Sequence, residues 1–246
     1  MAELDAKTER TLRGFTREVR DLYGEDVRSV ILYGSAVGQD YIPDVSDLNL
    51  LVVLKEVGPE QLGKALKYVK GWRKNRINPL FLDPRYIGSS LDAFPIEFLE
   101  MKERHRLLWG EDLLEDLDVP QENLRLQCEQ ELKGKWLKLR QAYLETGGNP
   151  KRVRKLMTTS LRPFGVVLSA LLRLKGFEVP PGEFLEVVAQ VEEALDLELS
   201  AFREVYQLKQ GFRSSDRAEL NALFARYLTE VRLLAQAADA LFRAEG

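Results

Sequence analysis

The strongest constraint in the chain is the stretch "LYGSAVGQDYIPDVSDLNLLVVL" over residues 32–54. An apolar run rich in β-formers ends in Gly34-Ser35, a loop follows, and Ser46-Asp47 opens a second apolar run. This order fits a strand, turn and strand that bring polar groups to one end of a sheet. Residues two apart on a strand share a face, so Asp47 and Asn49 point one way with Leu51 and Val53. Leu48, Leu50, Val52 and Leu54 point the other way, toward covering helices. The face that carries the acids is then expected to be an open cleft. Gly34 lets the backbone approach a ligand, while Ser35, opening a short helix, offers a hydroxyl and an N–H to phosphate. Carboxylates in such a cleft can hold hard cations such as Mg²⁺ against nucleotide phosphates.

Around this core the sequence has two textures. Residues 27–33, 48–54, 77–82 and 94–99 read as strands, and a helix is expected over residues 59–74 from Pro59, with a short one after Asp83-Pro84. Beyond about Pro120 strand signals stop. Leu220, Leu223, Phe224, Tyr227, Leu228, Val231, Leu234, Ala235, Ala238, Leu241 and Phe242 recur at steps of three and four, and a second stripe runs from Val153 to Leu172 through Pro163, where a kink is expected. Turn signals at Gly147-Gly148-Asn149-Pro150 and Val179-Pro180-Pro181-Gly182 separate these helices. The expected architecture is an α+β domain with a small mixed sheet over residues 1–118, followed by an all-α bundle of four or five helices over residues 119–246.

Composition narrows the function classes. A chain of 246 residues with 45% apolar and 30% charged side chains can bury a full core. The single cysteine, Cys128, excludes an internal disulfide, and with no charged-then-apolar leader the chain reads as cytoplasmic. No apolar run approaches the roughly 20 residues that cross a bilayer. A net charge of −3 makes nucleic acid an unexpected partner on overall composition. His105 is the one histidine and sits among charges, where a solvated helix is expected; zinc sets and Ser-His-Asp chemistry therefore lack their residues. The basic segment over residues 64–76 reads as the outer cover of a sheet with Tyr68 and Trp72 turned inward. The cations Lys151, Arg152, Arg154, Lys155 and Arg162 on a bundle helix are candidates to meet a triphosphate or an acceptor.

"LYGSA" followed by "SDLNLLVVL" resembles the nucleotidyltransferase-fold superfamily that includes DNA polymerase β and the minimal and aminoglycoside nucleotidyltransferases. In that family a Gly-Ser pair precedes an Asp-hydrophobic-acid motif, here degenerate as Asp47-Leu48-Asn49, and several members attach a helical bundle. The resemblance implies transfer of a nucleoside monophosphate from a nucleoside triphosphate to a hydroxyl or amine of an acceptor, with Mg²⁺. It assigns phosphate contact to Gly34, Ser35 and Ser46, metal ligation to Asp47 and Asn49, and a third acidic position to a later strand. Glu97 and Glu100 are the candidates for that position, and alternation with Phe94, Ile96 and Phe98 favours Glu97 as metal ligand or base. Asp44 is a loop candidate to supply the charge that Asn49 lacks. An amide weakens a pair of divalent ions, so the alternative is a degenerate nucleotide-binding or regulatory module, with a protein partner or a second copy of the chain left open.

Overall fold

The computed structural model describes residues 4–38, 41, 43, 45–180, 184–211 and 216–241, so Asp44, Pro181, Gly182 and Phe242 lie outside the described residues. Contacts divide the chain into two compact units, Met1–Pro120 and Gln121–Gly246.

The first unit begins with α1 (Ala6–Tyr23), capped by the Asp5 carboxylate, which accepts from the backbone N–H groups of Lys7 and Thr8. Strand β1 (Val27–Tyr33), a single 3-10 turn over Gly34–Val37 and β2 (Leu48–Leu54) follow. The helix expected over residues 59–74 is two pieces, α2 (Pro59–Ala65) and α3 (Val69–Lys74). Leu66 and Tyr68 donate to carbonyls three residues back, which tightens the chain into turns between them. Then come β3 (Ile77–Leu82), α4 (Pro84–Ser90), α5 (Pro95–Glu103) and β4 (His105–Gly110).

The strand expected over residues 94–99 is therefore a helix. Pro95 has no N–H for a ladder and a φ already suited to a first helical turn, and Phe98 donates to the Phe94 carbonyl. Glu97 falls in that first turn, where a carboxylate suits the helix dipole. The fourth strand lies further on and includes His105, which is not on a helix as expected.

Sheet order is β3-β2-β1-β4, with β1 antiparallel to β2 and β4, and β2 parallel to β3. Val30, Leu32, Leu50 and Val52 pack against Leu12, Phe15 and Val19 of α1 and against Trp72 of α3. Trp72 is buried, donates its indole N–H to Glu18 at 2.9 Å and stacks on Tyr68, so the basic segment does turn an aromatic inward. On the opposite face Ile31, Leu51 and Val53 are covered by Ile87 of α4, Phe98 of α5 and Leu114. That face is not open along its length, because each buried aliphatic side chain stabilises the fold by roughly 1.5–3 kcal/mol and draws a cover over itself. Only its end, at Asn49, stays polar.

The second unit comprises α6 (Gln121–Glu145), α7 (Pro150–Leu174), α8 (Phe184–Leu195), α9 (Ser200–Gln210) and α10 (Arg217–Ala240). The predicted stripes are its core: Val153, Met157, Leu161 and Phe164 on α7, and Leu220, Leu223, Tyr227 and Val231 on α10, are all buried. Phe164, Phe202 and Tyr227 meet with ring centroids 4.7–5.8 Å apart, and the Tyr227 and Ser160 hydroxyls hydrogen-bond at 2.9 Å. Asn149 caps α7 by accepting from the N–H groups of Lys151 and Arg152. Arg154, one of the cations considered for ligand contact, donates to the Leu208 carbonyl within the bundle. Among the described residues, no helix is long and apolar enough to cross a membrane.

Candidate functional site

Backbone register sets one row across the C-terminal end of β1 and the start of β2. Asn78 of β3 pairs with Asn49 of β2, Asn49 with Tyr33 of β1, and Tyr33 with His105 of β4. Directly paired residues share a face, so these four side chains form a polar and aromatic edge beyond the apolar rows of Leu51 and Ile31. The Asn78 amide donates to the Asn49 carbonyl oxygen at 3.3 Å.

Gly34 closes β1 with φ +79°, and a Cβ there would stand 3.3 Å from the Asn49 amide nitrogen. The left-handed backbone conformation disfavours any side chain there, and the Asn49 amide would have to give by a few tenths of an ångström, which explains the glycine of the motif. Its N–H donates to the Arg104 carbonyl at 3.0 Å, and Ser35 follows on the 3-10 turn. The sequence thus brings Gly34 and Asn49 together, as the strand-turn-strand reading expects.

Asp47 sits just before β2 with its side chain 63% exposed, and the Arg76 guanidinium lies 3.4 Å from its carboxylate. Arg76 has φ +57°, donates to the Val45 carbonyl at 2.7 Å and accepts from the Leu48 N–H through its own carbonyl. A non-glycine residue in this region is strained, so the link between α3 and β3 holds a cation beside the motif at some cost. Ser46 precedes Asp47 on the same approach to β2. Glu97 is exposed on α5 and lies on no strand.

Asn78 was missed in the sequence, although its signal was present. In Ile77-Asn78-Pro79-Leu80, alternation sets Asn78 on the face of Leu80, and parallel pairing brings it beside Asn49. The neighbour of the motif on the adjacent strand is therefore an amide.

His105 closes the row as a pinned group. Its Nε2 lies 2.9 Å and 3.0 Å from the two Asp112 oxygens, and its Nδ1 lies 2.8 Å from the Lys102 carbonyl. With both nitrogens engaged it holds the loop after β4 to the end of α5. Partial burial pushes the Asp112 carboxyl up, but hydrogen bonds from His105 and from the Leu114 and Glu115 backbone outweigh it and leave the group below the usual carboxylate range. Burial pushes the Tyr33 phenol up as well. Cys128 is buried in the bundle and its thiol is pushed up to about 12, so it is no nucleophile at neutral pH.

The donor set can be tested against divalent ions. Two Mg²⁺ ions roughly 4 Å apart need several anionic ligands to offset their repulsion. Among the described residues, the sheet end offers the Asp47 carboxylate, two neutral amides bonded to each other, and a guanidinium. Among the described residues, no three His, Cys, Asp or Glu side chains gather where they could hold a metal ion. These residues do not fit a metal pair. They fit one Mg²⁺ that arrives with a phosphate chain, since Mg²⁺ is commonly held through one or two carboxylates plus substrate oxygens.

A four-stranded mixed sheet flanked by helices, with its polar end at a Gly-Ser turn and a helical unit behind it in sequence, is an α+β nucleotidyltransferase-like fold. Its structure is similar to the crystal structure of spectinomycin adenyltransferase AAD(9) from Enterococcus faecialis with ATP and spectinomycin, with a TM-score of 0.55 and 13% identity over 94% of this chain and 99% of that one. A nucleotidyltransferase-like protein from Exiguobacterium sibiricum 255-15 is also similar, with a TM-score of 0.41 and 15% identity over 95% of this chain and 76% of that one. No family model matches the sequence, and no curated protein matches it.

Proposed function

We propose that this chain binds a nucleoside triphosphate with one Mg²⁺ at the Gly34–Asn49 end of the sheet, and that transfer of its nucleoside monophosphate is suppressed. The observation that carries this reading is the amide pair: Asn49, in the motif, is bonded to Asn78 on the neighbouring strand, and Asp47, just before β2, is the carboxylate of the motif. In this reading Asp47, with the Asn49 carbonyl oxygen, would hold the metal. Gly34, Ser35 and Ser46 would border the phosphates. Arg76 moves from Asp47 to a phosphate oxygen when ligand enters, an exchange that costs little because an exposed ion pair is worth only about 0–1 kcal/mol. Glu97 is left as an accessory acid outside the row. The metal would neutralise phosphate charge; a second ion to activate an attacking hydroxyl lacks its ligands among the described residues.

The fold similarity to an adenyltransferase crystallised with ATP and spectinomycin supports a small molecule with a hydroxyl or amine as the acceptor class for any residual transfer, and ATP as the first nucleotide to try. Calorimetric titration of ATP with Mg²⁺ should give micromolar binding that needs the metal and weakens at least tenfold in Asp47→Ala. The double variant Asn49→Asp/Asn78→Asp should release pyrophosphate at least tenfold faster than the parent, with spectinomycin the first acceptor offered. Silence toward ATP, GTP, CTP and UTP alike would sink the proposal and leave a protein-interaction role for the fold.

A further inference from the structure

The face of the sheet opposite Asn49 carries a second polar feature. Arg106 pairs with Leu32, so it points toward α1 and away from the row that contains Tyr33 and His105. Between α1 and β4 lies a groove of about 520 Å³ lined by Arg13, Arg17, Arg20, Arg106, Glu9 and Trp109, among others. Four arginines and one glutamate line it, a balance of 4 − 1 = +3 in a chain whose net charge is −3.

These cations are poorly compensated from within. Glu9 is engaged by Arg106 at 2.6 Å, and the Arg20 guanidinium lies over the Trp109 ring at 4.7 Å. Arg13 and Arg17 are exposed and make no side-chain hydrogen bond or ion pair among the described residues. The Arg106 Nε is buried with no hydrogen-bond partner among the described residues. Spacings of four and three residues set Arg13, Arg17 and Arg20 along one flank of α1, where like charges weaken a helix unless an anion joins them. A buried guanidinium N–H without an acceptor points the same way, because such groups are nearly always satisfied in the functional assembly.

We propose that this groove binds a ligand that carries phosphates in a row, either a single-stranded nucleic-acid backbone or an inorganic polyphosphate. Seven residues of α1 span about 10 Å, long enough to follow more than one phosphate. All four cations are arginine, whose planar fork grips phosphate oxygens in pairs. Trp109 gives the groove an aromatic wall, already backed by Arg20, as surfaces that track nucleic-acid strands use. Overall composition hides the site, because the acids that make the chain net negative lie elsewhere.

Fluorescence anisotropy of the full chain with a labelled short single-stranded RNA at low salt tests this, with inorganic tripolyphosphate as competitor. The expected result is salt-sensitive RNA binding that Arg13→Gln/Arg17→Gln weakens at least tenfold, with the slope of log affinity against log salt falling by about 0.7 for each lost contact. Binding of tripolyphosphate but not RNA, also weakened in the variant, would assign the groove to free polyphosphate. Asp47→Ala, on the opposite face, should leave this binding unchanged, which separates the groove from the nucleotide cleft. Circular dichroism melting should show the double variant folded, since both side chains are exposed; if it is not, Arg17→Gln alone replaces it. The proposal is overturned if the folded variant binds as the parent does, if oligoglutamate displaces RNA as well as tripolyphosphate does, or if neither phosphate probe binds.

Discussion

Two carboxylates in this molecule have opposite surroundings. Glu230 of α10 is only 7% exposed, and it accepts from the N–H groups of Ala201 at 2.8 Å and Phe202 at 3.1 Å. Those are orphan donors at the start of α9, whose own cap position, Leu199, has no side chain able to accept. Asp47, at the start of β2, is mostly exposed and holds Arg76 at the outer limit of a hydrogen bond. The bundle uses its acid to close a defect in its own backbone, while the sheet end leaves its acid free to change partners. Saturated polar groups mark architecture, and slack ones mark a place for a ligand.

The contrast should be largest in stability. Glu230→Ala removes the carboxylate that accepts from two buried N–H groups, and is expected to destabilise the bundle by about 3 kcal/mol, read as a lower urea midpoint. A cost under about 0.5 kcal/mol would erase the distinction between the two carboxylates. Burial pushes the Glu230 carboxyl up in spite of the bonds it accepts from Ala201, Phe202 and Ser200. Its folded form therefore binds a proton more tightly than the unfolded chain does. That contribution is fully present below the unfolded value of about 4.3 and fades as pH rises through the folded one. Compared with Glu230→Gln, the parent should lose stability as pH climbs from about 4 toward neutrality.

Asp112 supplies an intermediate case with the opposite sign. Its carboxyl is lowered in the folded state, burial being outweighed by His105 and two backbone donors, so its contribution is present above the unfolded value of about 3.9 and lost as pH falls through the folded one. Asp112→Asn should cost about 1–2 kcal/mol near neutrality and flatten the acid limb of the stability curve. Equal acid limbs for parent and variant would make the His105 contact incidental.

How far the sequence reached follows the same division. The spans of β1, β2 and β3 and the stripes of α7 and α10 were legible, because alternation or helical spacing repeats over enough residues to exclude the other period. Residues 94–99 were not, since a short apolar run fits both periods and Pro95 decided between them. His105 was hidden by charged neighbours that suit an edge strand, which needs only one pairing side. In the site, Gly34, Asp47 and Asn49 could be read locally, as they lie within one short stretch of sequence between adjacent strands. Asn78 and Arg76 could not, for only the parallel pairing of β2 with β3 brings them alongside. The cap on α9 from Glu230 bridges 28 residues of sequence or more, beyond any local pattern.

The smallest expected effect bears most on function. Asp47→Ala should change the unfolding free energy of the first unit by less than about 0.5 kcal/mol, because an exposed ion pair is worth little. Asn49→Ala should cost no more than about 1 kcal/mol, the worth of one partly exposed amide hydrogen bond to Asn78. Urea unfolding followed by tryptophan fluorescence in a Trp136→Phe background, where Trp72 and Trp109 of this unit report, measures both. A loss several times larger would show that these polar groups hold the sheet end together, as Glu230 holds α9. Near-neutral stability combined with lost Mg²⁺-dependent nucleotide binding would instead separate folding from binding at this site, since the apolar rows behind it already fix β2 in register.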